Sequence, residues 1–255
     1  MNRLIRGNIQ LVGAGPGDPE LITLKGIKAI KQATYILYDA LIHKDLLKYN
    51  RSAIKTFVGK RAGLHSISQR EISLKMVELA GRGERVVRLK GGDVFVFGRA
   101  SEELTMARLA GIETGVIPGI SSFSGISSRH KIPLTQRGIS ESFWVVTGTT
   151  ADGQVSGDIV HAAKSTATVI VFMGLGKINE ICTIFKQYKP LDYPVAVISN
   201  GTLPEEKTLL STIENIAFQV KENDIEAPAL FIFGPVLQSD FVALKNQVNL
   251  DYVYA

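Results

Sequence analysis

The chain has 255 residues, 45% of them hydrophobic and 21% charged, with a formal net charge of +5 and a pI of about 9.2; this is the balance of a globular protein, long enough for one large domain or two small ones. A single cysteine, Cys182, excludes an internal disulfide and fits a reducing compartment. No apolar run is long enough to span a bilayer and no signal-peptide pattern opens the chain, so a cytoplasmic protein is expected; the absence of a Lys/Arg block or an RNP-type aromatic motif argues against a dedicated nucleic-acid module.

Residues 8–12 read as a first strand. It runs into the turn Gly13-Ala14-Gly15-Pro16-Gly17-Asp18 and then a helix with Leu21, Leu24, Ile27 and Ile30 on one face. The turn does not end in Gly-Lys-Ser/Thr, so it is not a P-loop. Asp18 stands where the dinucleotide fingerprint needs its third glycine. Asp39 closes a second strand at 35–38, about where a ribose-binding acid would sit, so a nicotinamide-binding domain is a rival reading. A strand end and a basic loop with Lys60 and Arg61 follow at 57–63. Ser68-Gln69-Arg70-Glu71 is a capping box. It opens a helix with Ile72, Met76 and Leu79 inward, stopped by Gly81 and Gly83.

The centre of the chain is residues 88–99, Arg-Leu-Lys-Gly-Gly-Asp-Val-Phe-Val-Phe-Gly-Arg. A buried strand at 84–89 leads into it, and a helix with Ser101 as its candidate N-cap leads out, ending near Gly111. The paired glycines let a ligand approach the main chain at the C-terminal end of a strand, which is where open α/β sheets place their sites. After a strand ending at Ile117, the small-residue turn 118–125 enters another helix, a second place for a polar ligand.

Strands are then expected at 143–147, 168–172, 194–199, 207–211 and 227–234. Ile178, Ile181, Phe185 and Tyr188 make a helical stripe beside Cys182, and Ile213, Ile216 and Val220 make another. Strands alternating with helices predict an α/β fold with mainly parallel sheets. The expected division is two α/β domains, 1–117 and 118–255, with a cleft between them. His43, His65, His130 and His161 have no zinc-ligand spacing, and no Gly-x-Ser-x-Gly elbow is present, so neither a metal site nor serine-hydrolase chemistry is expected.

Taken together, the loops resemble the tetrapyrrole methylases. The strings that carry the resemblance are residues 12–18, 38–39, 58–63, 88–99, 117–122, 132–135, 146–148, 172–175, 194–201 and 227–230. They run in order from about 9 to 237, and the ordered set is far more specific than any one of them. The resemblance implies two α/β domains, a homodimer, and S-adenosyl-L-methionine bound folded in the interdomain cleft and released as S-adenosyl-L-homocysteine. It implies cofactor contacts from Pro16, Gly91, Gly92, Asp93, Val96, Ser121, Ser122, Met173, Gly201 and Ala229. The similarity is greatest to the branch that methylates uroporphyrinogen III twice, giving precorrin-2 for sirohaem, cobalamin or haem d1. That substrate is a polycarboxylate, which gives the basic pI a physical reading.

By the same resemblance Asp39 and Lys60 match a proton acceptor and donor. Arg99 matches a position proposed as the base, though an arginine is easier to read as a binding or electrostatic group. Glu102 and Arg137 match further substrate-site positions. Val94 stands where the family usually has Pro, Ala100-Ser101 where it has Gly-Gly, Gln136 where it has His and Ser199 where it has Glu. The dehydrogenase and ferrochelatase domain of some sirohaem synthases has no counterpart, so a stand-alone transferase is expected. A methylase for a later corrin precursor or another acceptor, such as a modified histidine on a protein, is the alternative within the fold.

Overall fold

The computed structural model describes residues 7–59 and 67–238. Contacts divide the chain into two compact units, Met1–Gly125 and Ile126–Ala255. The first unit is built on β1 (Asn8–Gly13), β2 (Tyr35–Tyr38), β3 (Ile54–Phe57), β4 (Arg85–Lys90) and β5 (Glu113–Ile117). Their order in the sheet is β3-β2-β4-β1-β5, and every pairing is parallel. Helices α1 (Leu24–Gln32), α2 (Gln69–Gly81) and α3 (Ala100–Leu109) connect the strands, and α4 (Ser122–Arg129) follows β5.

The sheet is apolar on both faces, as a parallel sheet covered by helices must be. Ile9, Leu11, Leu37 and Val86 pack with Ile72, Met76 and Leu79 of α2 and with Ala100 and Ala107 of α3. The alternate residues Val12, Ile36, Val87 and Leu89 pack on the opposite face with Ile30 of α1. The capping box at α2 forms as expected: Ser68 Oγ accepts from Glu71 N, and Glu71 Oε2 accepts from Ser68 N. Two details differ from expectation. Leu24, the first residue of α1 after the Thr23 cap, is 78% exposed, while Gly26 and Ile30 face inward. Ser101 is not the cap of α3; that position belongs to Arg99, in left-handed conformation with φ 55°.

The second unit contains β6 (Phe143–Thr147), α5 (Asp158–Lys164), β7 (Thr168–Phe172), α6 (Ile178–Phe185), β8 (Pro194–Ser199), β9 (Lys207–Thr212), α7 (Ile216–Glu222) and β10 (Ala229–Phe233). Its strand order is β6-β7-β10-β8-β9. Only β6 and β7 pair in parallel; β10 runs antiparallel to both β7 and β8, and β8 antiparallel to β9. This sheet is therefore mixed, whereas the first is wholly parallel. The core includes Phe231, Phe233, Ile181 and Phe185, with the Phe185 and Phe233 rings stacked 4.2 Å apart. Cys182 is buried in it, and burial pushes its thiol up to about 11, as suits a packed, unreactive side chain. Tyr188, expected on the α6 stripe, falls beyond the helix and is 40% exposed.

Candidate active site at the strand ends

In the first unit, the C-terminal ends of the parallel strands gather most of the residues singled out by the sequence. Gly13 ends β1, Gly92 follows β4 and Gly119 follows β5. A Cβ on Gly13 would lie 2.5 Å from Gly119 N and 2.8 Å from Gly92 O, and one on Gly119 would collide with Gly92 O, so these three backbones touch only because Gly13 and Gly119 carry no side chain. Gly92 N donates to Gly15 O at 2.7 Å, joining the loops after β1 and β4. Gly92 adopts φ +65°, and a Cβ there would meet nothing nearer than Ser122 N at 3.9 Å. That leaves open room beside the N-terminus of α4. Pro16 reaches the same helix: a Cβ on Gly125 would lie 2.7 Å from its Cγ.

Asp93 latches the arrangement. Its Oδ1 accepts from Phe95 N at 2.9 Å, and its Oδ2 accepts from Gly119 N at 3.1 Å. A carboxylate has further lone pairs, so it can still accept from a ligand. Pro16, Gly91, Gly92, Asp93, Ser121 and Ser122 thus belong to one set of connected loops. Val96 is half-buried on the continuation of the β4 loop, between exposed Phe95 and Phe97.

Asp39 follows β2 directly. Its Oδ1 accepts from Leu41 N at 3.0 Å and its Oδ2 from Arg88 Nη2 at 3.3 Å. Leu41 packs so closely on Gly91 that a Cβ on that glycine would lie 2.5 Å from Leu41 Cβ. Asp39 therefore sits beside the central loop. Lys60, its expected companion, lies outside the described residues. Arg99 and Glu102 are exposed and joined by two hydrogen bonds of 2.7 Å. This bonding raises the Arg99 guanidinium further and lowers the Glu102 carboxyl, which keeps Arg99 cationic and unfit to take a proton.

Residues to which the sequence assigned no role lie beneath this edge. Arg88 and Lys90 point from β4 to the face covered by α2 and α3, where Glu103 of α3 is 1% exposed. Glu103 Oε1 accepts from Arg88 Nε at 3.2 Å and from Gln69 Nε2 at 2.9 Å, and Oε2 accepts from Lys90 Nζ at 3.1 Å. Burial, with the Arg88 charge beside it, lowers the Lys90 ammonium despite the Glu103 partner. The available signal was two cations at alternate positions, 88 and 90, around the apolar Leu89 and after Val86 and Val87, which place both on one buried face and call for an acid there.

In the second unit the register of β7, β10 and β8 collects three more expected residues at one sheet end. Leu230 pairs with Phe172, which Met173 follows; Ala229 pairs with Ser199, two residues before Gly201. Met173 is 51% exposed with φ 52°, a conformation that costs a non-glycine residue roughly 1–2 kcal/mol. Thr149 Oγ1 donates to its carbonyl at 2.7 Å and holds it there. A Cβ on Gly201 would collide with Ile126. Ser199 is buried and donates to Glu226 O at 2.6 Å. Arg137 is exposed at the tip of a turn closed by Gln136 and Ser140, and the Gln136 Oε1 beside it is buried with no hydrogen-bond partner among the described residues.

These features coincide with a known family. Residues 8–217 match the model of the Tetrapyrrole (Corrin/Porphyrin) Methylases. The chain is 42% identical over 228 residues to the uroporphyrinogen-III C-methyltransferase of Methanobacterium ivanovii, an alignment covering 88% of this chain and 95% of that one. It is 41% identical over 247 residues to the siroheme synthase of Acinetobacter baylyi, covering 96% of this chain and 53% of the relative. The chain thus spans about half the length of the siroheme synthases it matches. The crystal structure of uroporphyrin-III C-methyl transferase from Thermus thermophilus, complexed with S-adenyl homocysteine, superposes with a TM-score of 0.77 at 34% identity, covering 91% of this chain and 99% of that one. By the extent of the family match and this identity over nearly the whole of a relative, the chain belongs to the tetrapyrrole methylase family.

Proposed function

We propose that this chain is an S-adenosylmethionine-dependent methyltransferase that methylates uroporphyrinogen III twice, by way of precorrin-1 to precorrin-2, in sirohaem- or cobalamin-type biosynthesis. The observation that carries the reading is the open room at Gly92, bounded by Ser122 of α4 and adjoining the Asp93 latch. Backbone amides there suit the carboxylate of an amino-acid moiety, and Asp93 suits donors of the cofactor. The relative crystallised with S-adenyl homocysteine supports the choice of ligand.

The cofactor supplies an electrophilic methyl carbon on a sulfonium. A substrate ring carbon bonds to that methyl, the sulfur–methyl bond breaks, and the ring sheds its added positive charge by losing a proton. The chain needs no covalent nucleophile; it needs alignment, a proton acceptor and cations for carboxylates. Pro16, Gly91, Gly92, Asp93, Val96, Ser121 and Ser122 hold the cofactor in the first unit. Met173, Gly201 and Ala229 serve it from the second. Asp39 accepts the proton, Lys60 donates one, and Arg99, Glu102 and Arg137 bind the substrate. A homodimer in the cytoplasm belongs to the same reading, supported by the resemblance and the lone cysteine.

Calorimetry separates this reading from a nicotinamide-binding protein. S-adenosylmethionine and S-adenosylhomocysteine should bind, and NAD should not. Tight NAD binding with no heat from either methionine derivative would overturn the proposal.

A further inference from the structure

We infer that Arg88, fixed from behind by Glu103, is a positioning residue that sets the carboxylate of Asp39 for proton acceptance. The inference rests on the role proposed above for Asp39. Four charged side chains alternate in sign: Asp39, Arg88, Glu103 and Lys90, joined at 3.3, 3.2 and 3.1 Å. Glu103 is 0% exposed in its side chain, Arg88 and Lys90 5% each, and Asp39 21%. Formal charges cancel over the four, and Asp39 is the end with most access to solvent.

The guanidinium has little freedom. Its Nε donates to Glu103, its Nη1 donates to Leu89 O at 2.9 Å, and these two bonds aim Nη2 at Asp39 Oδ2. Asp39 is then held at both oxygens, by Arg88 and by Leu41 N. Two fixed donors set the plane of the carboxylate and leave its remaining lone pairs for the proton the substrate releases. A purely structural role would need less. Glu103 alone already ties β4 to α3 through Lys90 and to α2 through Gln69. Extending the network to the Asp39 carboxylate, 21% exposed, adds orientation where a displacement of ~1 Å can cost about a hundredfold in rate.

The test is a double-mutant cycle on the full chain, with Arg88→Lys and Asp39→Asn. Arg88→Lys keeps the charge but loses the fork. It should lower methyl-transfer kcat by roughly ten- to a hundredfold, with the affinity for S-adenosylhomocysteine unchanged. In the Asp39→Asn background it should have no further effect, because the group it positions is gone. Equal losses in both backgrounds, or unchanged turnover in folded Arg88→Lys, would overturn the inference. If Arg88→Lys does not fold, Glu103→Gln releases the other side of the guanidinium and takes its place in the cycle. An infrared readout needs no activity. In protein labelled with carboxyl-13C aspartate, the Asp39 band is assigned by its loss in Asp39→Asn and should shift in whichever variant folds. An unmoved band contradicts the inference even in an active enzyme, whereas a band that shifts in the variant while the wild type methylates no tetrapyrrole places the failure in the proposed function.

Discussion

Glu102 and Glu103 are neighbours in sequence with opposite fates: one is exposed beside Arg99, the other wholly buried under β4. Sequence spacing fixes their relative direction on a helix but not which of them faces the sheet, because that depends on where the helix begins. The start of α3 is set by Arg99 in a left-handed conformation, where a hydroxyl at Ser101 suggested a cap two residues later. The loop residues were legible for a different reason. Glycines leave a pattern in the sequence itself, Gly13 and Gly119 because a Cβ has no room there and Gly92 because its φ is positive. At this scale the account separates Met173 from Arg99. Met173→Ala should weaken S-adenosylmethionine binding about tenfold, roughly 1.4 kcal/mol. Arg99→Ala should leave that affinity near normal while depressing turnover or substrate binding through loss of a charge-assisted contact. Titration without substrate, followed by initial rates at saturating cofactor, reads the two effects; an Arg99→Ala protein that folds but cannot bind cofactor would contradict the assignment.

Among the elements, the first sheet followed its sequence closely, since α1, α2 and α3 follow β1, β3 and β4 as crossovers, and the connection from β2 to β3, with a 3-10 helix at Lys44–Tyr49, is also long enough for parallel pairing. The second sheet did not. β8 and β9 are separated by seven residues, 200–206, too few for a crossover, and they pair as antiparallel neighbours. The short helix α5 also escaped notice, because its seven residues offer barely two turns of apolar spacing. The connection between β8 and β9 is itself pinned to the residues around the end of α4. Glu206 Oε1 lies 2.8 Å from His130 Nε2, and its Oε2 accepts from Thr202 N at 2.7 Å and faces Arg129 Nε at 3.6 Å. Burial pushes the Glu206 carboxyl up, but His130, the Thr202 amide and the Arg129 charge together outweigh it and hold the carboxyl below its ordinary 4.5. The stability contributed is complete above 4.5 and is lost as pH falls through the lower, folded value. Glu206→Gln should cost about 2 kcal/mol near neutral pH, and the gap from wild type should narrow in acid. Urea unfolding at the two pH values measures it; a gap that widens on acidification would contradict the pairing.

For the molecule as a whole, each unit taken by itself carries expected site residues at one sheet end, and the chain spans about half of the siroheme synthases it resembles. No helix among the described residues is long and apolar enough to cross a membrane. The proposed homodimer predicts a mass of twice 27.7 kDa by light scattering at assay concentration, and a monomer there would refute it. The central claim is the reaction itself. The protein should be incubated anaerobically with uroporphyrinogen III and methyl-labelled S-adenosylmethionine, and the tetrapyrroles analysed by mass. The account predicts a singly methylated species that gives way to a doubly methylated one, with label in both. A tetrapyrrole recovered unmethylated, from protein that demonstrably binds the cofactor, would contradict it.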